Sequence, residues 1–276
     1  VYRTKLQLEQ PFKLLVHGSS GFNNVKQMSV QIATPLVKSF RPIEHVDGSV
    51  HDLGNSIRHI STKERRVLQI SIVPVTEYQQ NCSIVYDDQN QSAVIVDPGG
   101  EVEKIMAAVK ELGVNVEAIW LTHGHLDHAG GAEAAKKQFG VEIIGSHIAD
   151  KFLLENIETT AAGYGLTGMY NAKPDRWLEE GDSLNVGEHE FEVLHCPGHA
   201  PGHVVFVNHV HKFILMGGVL FQGSIGRTDL PGGDHQTLID SISQKIMTLD
   251  DDYQFVCGHS APSTIGAERR TNPFLK

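Results

Sequence analysis

From about Val67 to the C-terminus, short apolar runs alternate with stretches of helical periodicity. The apolar runs predict strands at 67–75, 82–87, 92–100, 116–123, 141–145, 191–198, 203–208, 212–218 and 253–258. The helical pattern predicts helices at 101–113, 130–140, 148–158 and 235–247, with a short one near 262–270, and a loop at 159–174. This order predicts an α/β sandwich, with mixed sheets and helices packed outside them.

Residues 1–66 show neither helical nor strand periodicity. The predicted organisation is therefore an N-terminal extension over 1–66, disordered or of uncertain origin, followed by one domain over 67–276. The first forty residues are poor in acids and carry scattered Lys and Arg, which makes organellar targeting the alternative to a cytoplasmic location.

Composition excludes several classes of protein. Residues 1–66 hold 10 Lys and Arg against 5 Asp and Glu, whereas the remainder holds 13 against 28, for a net charge of −10. The acidic body argues against nucleic acid as a partner, because phosphate binding needs a concentrated positive field. No apolar run is long enough for a membrane span. Three widely spaced cysteines, Cys82, Cys196 and Cys257, predict reduced, buried thiols rather than a disulfide framework.

The segment "LTHGHLDHAGG" concentrates four side chains of metal-binding type. His123 and His125 follow a predicted strand two residues apart, so in extended backbone their imidazoles point to the same side. Asp127 and His128 follow where the chain turns toward a helix, adding an oxygen and another nitrogen. Imidazole and carboxylate ligands suit a divalent transition metal, so the segment predicts part of a metal site.

Further ligands must come from later in the chain. His199 lies in "HCPGHAPGH" just after a strand, where Pro197 and Gly198 force a turn, and His259 in "VCGHS" also ends a strand. Loops at strand ends are the usual location of sites in sheet folds. His195 and His203 flank the same turn as His199, but a histidine within a strand is more often structural.

These motifs resemble those of the metallo-β-lactamase-fold hydrolases, and among them the short glyoxalase II-like members. The likeness spans about residue 68 to the C-terminus and includes "VDPGG", "THGHLDH", "CPGHAPGH" and "GRTDLPGGDH". It implies a four-layer αβ/βα sandwich with two metals at one edge of the sheets. One metal would be held by His123, His125 and His199, and the other by Asp127, His128 and His259, with Asp97 supporting the ligands from behind. A strand-end residue that only caps the Gly99 turn is the alternative for Asp97.

The resemblance implies a metal-dependent hydrolase acting on a thioester or related small-molecule acyl substrate. Metal-bound hydroxide would attack the carbonyl, with Asp127 orienting the nucleophile. Zinc is the expected metal, one or two ions, with iron or manganese as alternatives. Arg227 could hold a substrate carboxylate, or it could pair with Asp229 or Asp234 at the surface. Longer family members that hydrolyse glutathione thioesters carry an added C-terminal helical domain with basic glutathione contacts. The sequence ends at Lys276 without that domain, so glutathione specificity is not implied and the acyl substrate stays open.

One position departs from the family pattern. In "FILMGGVLF", most glyoxalase II-like members have an aspartate that bridges both metals where this chain has Gly218. Glycine offers no ligand, so the two cations lose a shared negative charge that screens their repulsion. Three interpretations follow: a hydrolase with weakened metal retention, a β-lactamase-like lactam hydrolase, or a catalytically silent metal-binding or interaction protein. Iron-dependent persulfide dioxygenases of this fold are disfavoured because their metal relies on that aspartate.

Overall fold

The computed structural model describes residues 12–16, 28–32 and 68–276. The strands are β1 (Phe12–Val16), β2 (Met28–Ile32), β3 (Leu68–Val75), β4 (Gln80–Asp87), β5 (Ser92–Val96), β6 (Asn115–Leu121), β7 (Glu142–Gly145), β8 (Ser183–Val186), β9 (His189–His195), β10 (Val204–Asn208), β11 (Phe213–Leu215), β12 (Leu220–Phe221), β13 (Ser224–Ile225), β14 (Gln254–Val256) and β15 (Ser263–Thr264). The α-helices are α1 (Val102–Leu112), α2 (Leu126–Ala129), α3 (Ala132–Phe139), α4 (Lys151–Leu154), α5 (Ile157–Gly163), α6 (His235–Gln244) and α7 (Ile265–Thr271).

Two sheets and two helical layers form a four-layer αβ/βα sandwich, the predicted fold. The first sheet has the order β1 to β7, and the second runs β15-β14-β11-β10-β9-β8. Three apolar cores separate the layers. One lies between α1, α3 and the first sheet, a second joins the inner faces of both sheets around Trp120, Phe191 and Phe206, and a third lies under α6 and α7. Burial of both faces explains why the central strands are continuous apolar runs.

The ends of several strands meet at one edge of the sandwich. In the first sheet β5, β6 and β7 run parallel, so their carboxyl ends share an edge. In the second sheet β11 and β14 are parallel, and β9 has the same direction because β10 is antiparallel to both β9 and β11. The chain leaves each of these strands into a loop at the same edge, which is where sites form in such folds.

Most of the strands and helices predicted for residues 67–276 are confirmed. The helix predicted over 148–158 is instead a 3₁₀ turn at Ile148–Asp150 followed by α4 and α5, and α5 continues to Gly163 inside the predicted loop. The turn ends where the Asp150 side chain is buried against two other loops, and Asn156 begins a new helix. The sequence did not predict the short helix α2 or the strands β1, β2, β8, β12, β13 and β15.

Most of residues 1–66 lie outside the described residues, so the predicted boundary near residue 66 stays a prediction. Within the described ranges, β1 and β2 extend the first sheet through pairing of β2 with β3. Within residues 12–16, 28–32 and 68–276, no helix combines the length and apolar character that crossing a bilayer would require.

The opposite edge of the sandwich holds a buried histidine pair. His211 Nε2 lies 3.0 Å from His189 Nδ1, and His189 Nε2 lies 3.6 Å from the carboxylate of Asp87. The backbone N–H of His211 donates to Asn208 Oδ1. Burial, and then His189, lower the pKa of His211 from 6.5 to about 4. His211 is therefore neutral in the folded protein at neutral pH.

This pair predicts acid sensitivity. Because the unfolded chain protonates His211 near pH 6.5 and the folded chain only near pH 4, its contribution to stability is complete above about pH 6.5 and is lost as pH falls toward 4. Unfolding between pH 6.5 and 4 takes up as much as one proton at His211, and the His211→Gln variant is expected to lack this uptake. The free energy of unfolding should therefore fall less steeply with decreasing pH in the variant than in the wild type. Urea unfolding of both metal-free proteins across the window measures this, and identical slopes would refute the assignment.

Candidate metal centre

All six predicted ligands converge at the shared edge of the two sheets. His123 and His125 follow β6, and Asp127 and His128 lie in α2 directly after them. His199 lies in the turn after β9 and His259 in the turn after β14. The site is thus built from both halves of the sandwich. The side chains fall into two groups of three, described in turn.

The first group consists of His123, His125 and His199. His199 Nε2 lies 3.2 Å from His123 Nε2 and 3.1 Å from His125 Nδ1. One nitrogen from each ring meets the others within 4.8 Å, as one metal ion requires. Burial lowers the pKa of His123 well below 6.5 and, with His199 as the next cause, lowers that of His125 to about 3. Neutral imidazoles are the form that binds metal.

The hydrogen bonds of His123 fix which nitrogen carries its proton. The Thr122 hydroxyl donates to Asp97 Oδ2 at 2.6 Å, and the Thr122 N–H donates to Asp97 Oδ1 at 2.7 Å. With its proton engaged there, Thr122 Oγ1 accepts from His123 Nδ1 at 3.0 Å. The Nε2 atom of a neutral His123 therefore presents a lone pair to the group.

His199 is oriented in the same way. Its Nδ1 lies 2.7 Å from the carbonyl oxygen of Arg227, which can only accept, so the proton is on Nδ1. Burial lowers the pKa of His199 to about 4. Two lone pairs, on Nε2 of His199 and of His123, then face each other at 3.2 Å. In these tautomers the two rings cannot hydrogen-bond to each other, whereas a cation between them would bind both nitrogens, so the group fits a divalent metal.

The second group consists of Asp127, His128 and His259. Asp127 Oδ2 lies 3.0 Å from His259 Nε2 and 3.8 Å from His128 Nε2. His128 Nδ1 donates to Asp97 Oδ2 at 2.8 Å, which directs its Nε2 toward Asp127. The side chains of His259 and Asp127 are 35% and 20% exposed, so solvent and small molecules reach this group more easily than buried His123.

Charge differs between the groups. For Asp127 burial favours the neutral acid, but His128 and His259 outweigh it and lower its pKa. For His128 burial disfavours the cation, but Asp127 and Asp97 outweigh it and raise its pKa. Protonation of His128 therefore competes with metal binding at the second group more strongly than protonation of the first-group histidines competes there.

Asp97 supports both groups from behind. Its two oxygens accept from Thr122 and from His128, and it is buried and in the left-handed region at φ 53°. An aspartate tolerates this conformation better than most residues. Asp97 also lies within 4.8 Å of ligand atoms of His123 and His128. Its oxygens are already engaged by hydrogen bonds from Thr122 and His128, which favours a supporting role over metal binding.

Gly218 lies directly beside the first group. A Cβ atom at this position would lie 2.4 Å from His199 Cδ2 and 2.6 Å from its Nε2, so the His199 ring occupies the space of the missing side chain. The Gly218 N–H donates to His203 Nε2 at 2.8 Å, and the His203 ring stacks on His123 with centroids 4.6 Å apart. His203 therefore packs under the group and holds the strand end without joining the ligands.

The remaining candidates lie outside the two groups. His195 Nε2 donates to the Pro201 carbonyl. The Arg227 guanidinium forms two 2.7 Å hydrogen bonds with Asp229, so its link to the site is the carbonyl that orients His199. Asp234 instead caps α6 through Thr237 N–H. All three thiols are free and buried, and burial raises the pKa of Cys196 to about 12, which disfavours nucleophilic roles.

Two contributors were missed in the sequence. Thr122 could have been suspected from its place beside His123, since a hydroxyl there reaches a strand-end carboxylate. For His203 the structural role that the sequence favours agrees with its packing under the first group. Asp150, whose carboxylate accepts from Gly124 N–H and Gly202 N–H, lay within a predicted helix and gave no signal.

Comparison with known proteins agrees with this geometry. The sequence profile described as the Metallo-beta-lactamase superfamily matches residues 75–259. The chain belongs to the metallo-β-lactamase superfamily. Within it the chain is a hydrolase-type member whose histidine and aspartate groups can hold metal ions.

Relatives within the superfamily cover the same part of the chain. "Hydroxyacylglutathione hydrolase GloC" of Haemophilus influenzae is 49% identical over 75% of this chain and 98% of its own length. "Probable metallo-hydrolase YqgX" of Bacillus subtilis is 38% identical over 74% and 95%. These similarities support a glyoxalase II-like member of the superfamily.

Two solved structures of the superfamily share the fold. The crystal structure of the BLEG-1 B3 metallo-beta-lactamase is 37% identical, with a TM-score of 0.69 over 75% of this chain and 99% of that one. The crystal structure of TTHA1623 in a di-iron-bound form is 36% identical, with a TM-score of 0.68 over 74% and 99%. The second shows that a neighbour of this fold binds two metal ions.

Proposed function

We propose that the protein is a metal-dependent hydrolase of thioesters or related acyl compounds, acting in the cytoplasm. The observation that carries this proposal is the pair of facing lone pairs on Nε2 of His123 and of His199, which a shared cation would bind. The similarity to a hydroxyacylglutathione hydrolase supports the thioester class. His123, His125 and His199 would hold one ion, and Asp127, His128 and His259 a second.

A bound ion would supply a nucleophile near neutral pH and would polarise the substrate carbonyl. The chain's own residues prepare the site for this chemistry. Asp127, ionised beside His259 in the second group, would orient the attacking water through its carboxylate. Asp97 and Thr122 lock the ring of His123, and the Arg227 carbonyl locks that of His199, so the nitrogens need not reorganise.

Two exposed tyrosines are coupled electrostatically to residues of the site. Tyr78 and Tyr164 are 43% and 65% exposed. Burial raises the pKa of Tyr78, and Asp127 and then Tyr164 raise it further. The pKa of Arg227 is raised mainly by Asp229 and, to a smaller extent, by Tyr164. Both rings are therefore candidates for contact with a small-molecule substrate.

Metal content and turnover together test the proposal. Purified protein is expected to bind at least one equivalent of zinc, iron or manganese by elemental analysis. It is also expected to hydrolyse members of a panel of small thioesters, with lactoylglutathione as the first compound because of the GloC similarity. Binding of less than one equivalent of all three metals would refute every hydrolase assignment. Metal binding without turnover of any thioester, lactone or lactam would instead favour a silent metal-binding protein.

A lactam hydrolase is the second candidate, and the 37% identity to the BLEG-1 B3 metallo-beta-lactamase favours it. Like the thioesterase, it would use the two groups of three ligands. Turnover of a chromogenic cephalosporin without turnover of lactoylglutathione would select this candidate. The reverse result would reject it.

A further inference from the structure

A single buried carboxylate connects two of the ligand loops. Asp150 is 0% exposed, and its Oδ1 accepts from Gly202 N–H at 2.6 Å while its Oδ2 accepts from Gly124 N–H at 2.8 Å. The Ser146 hydroxyl, 3.3 Å from Oδ2, is a third donor. Burial raises the pKa of Asp150 to about 6, against the opposing effect of these hydrogen bonds. The carboxylate is therefore mainly ionised at neutral pH.

The two amides belong to the loops that form the first group. Gly124 lies between His123 and His125, in the loop that follows β6 of the first sheet. Gly202 lies three residues after His199, in the loop that follows β9 of the second sheet. Since Asp150 follows β7, one side chain reaches loops from both halves of the sandwich. The 2.8 Å hydrogen bond from Val204 N–H to the Thr122 carbonyl oxygen also joins the two segments, one residue before His123.

Close packing explains why both amides belong to glycine. A Cβ at position 202 would lie 2.6 Å from the backbone nitrogen of Asp150 and 2.7 Å from its Cγ. A Cβ at position 124 would lie 2.9 Å from Leu153 Cβ and 3.2 Å from Asp150 Cβ. Any side chain would push the Asp150 segment away, so the glycines of "HGH" and "APGH" are required by this contact.

We propose that Asp150 is a positioning residue, which fixes the His123–His125 loop against the His199 loop so that three ring nitrogens meet at one point. The inference rests on the proposed metal binding by the first group. Without the carboxylate, each loop keeps its own fold, but the distance between His199 and the other two rings is no longer set. Residues that orient metal ligands typically contribute 10- to 100-fold to metal affinity.

Asp150→Asn tests this, because the amide keeps the shape but turns an NH₂ group toward a backbone N–H. Asp150→Ser removes the carboxylate without that clash and serves if the asparagine variant folds poorly. The matched control is Asp87→Asn, since Asp87 is a carboxylate with 1% exposure that accepts from Gln89 N–H at the opposite edge. Zinc affinity is measured by chelator competition on the full chain, alongside thermal unfolding of the metal-free proteins.

Both Asp150 variants are expected to bind zinc about 10- to 100-fold more weakly at the first group. The control should lose thermal stability without losing zinc affinity. In a His199→Ala background the Asp150 substitution should have no further effect on zinc binding, because the distance it sets no longer matters. Unchanged zinc affinity in the Asp150 variants, or an equal loss in Asp87→Asn, would overturn the inference alone. A wild-type protein that binds less than one equivalent of zinc, of iron and of manganese would overturn the proposed function as well.

Discussion

His199→Ala is expected to remove about one equivalent of bound metal and to lower acyl hydrolysis by at least about 100-fold. The reason is geometric. His199 Nε2 is the atom nearest to both other nitrogens of the first group, at 3.2 Å from His123 and 3.1 Å from His125. Without it two imidazoles remain, one fewer than the three protein ligands typical of a catalytic zinc site. Elemental analysis and thioesterase assays measure both losses.

His195→Ala is the matched control. His195 precedes the same turn but donates to the Pro201 carbonyl and lies outside both groups. The His195→Ala variant should therefore keep the metal content of the wild type. His259→Ala should reduce metal at the second group while the first group stays filled. If His199→Ala retained the full metal content of the wild type, the assignment of the first group would be wrong.

Gly218→Asp is expected to raise metal content above that of the wild type and to increase the thioesterase rate. A carboxylate here would lie between the two groups and reduce the repulsion between their cations. The substitution also has a steric effect, because its Cβ falls 2.4 Å from His199 Cδ2 and the ring must move aside. The ring would have to make this movement while keeping its hydrogen bond to the Arg227 carbonyl.

Gly218→Ala separates the two effects. It imposes the same Cβ on His199 but supplies no ligand, so its metal content should fall below that of the wild type. Metal titration by calorimetry compares the three proteins, and the aspartate variant should bind at least about 10-fold more tightly than the alanine variant. Equal affinity of the two variants would show that residue 218 contributes no charge to metal binding.

The ligand pattern was predictable because it depends on local geometry. Alternation in an extended chain places His123 and His125 on one side, and a strand end followed by a turn marks His199 and His259. The structure brings all six predicted residues together at one edge. Their assignment as ligands stays a prediction until metal is measured. The sandwich itself followed from the alternation of apolar runs and helical stretches.

What could not be predicted depends on contacts between distant segments. Asp150 reads as one residue of an amphipathic helix, and only the fold shows that its carboxylate meets Gly124 and Gly202. The Arg227 guanidinium binds Asp229, whereas its carbonyl oxygen binds His199. The sequence does not show which part of Arg227 meets the site. At Gly218 the sequence shows that a carboxylate is absent, but not that the His199 ring lies in its place.

The division of the ligands between the two sheets has a consequence for how the protein matures. Neither half of the chain carries a complete set, because each group takes its last histidine from beyond β9. Either set is complete only once the two sheets have docked, so a metal ion held as proposed would link the two halves and stabilise the folded chain. The supply of metal in the cell would thereby govern the lifetime of the folded chain as well as its activity.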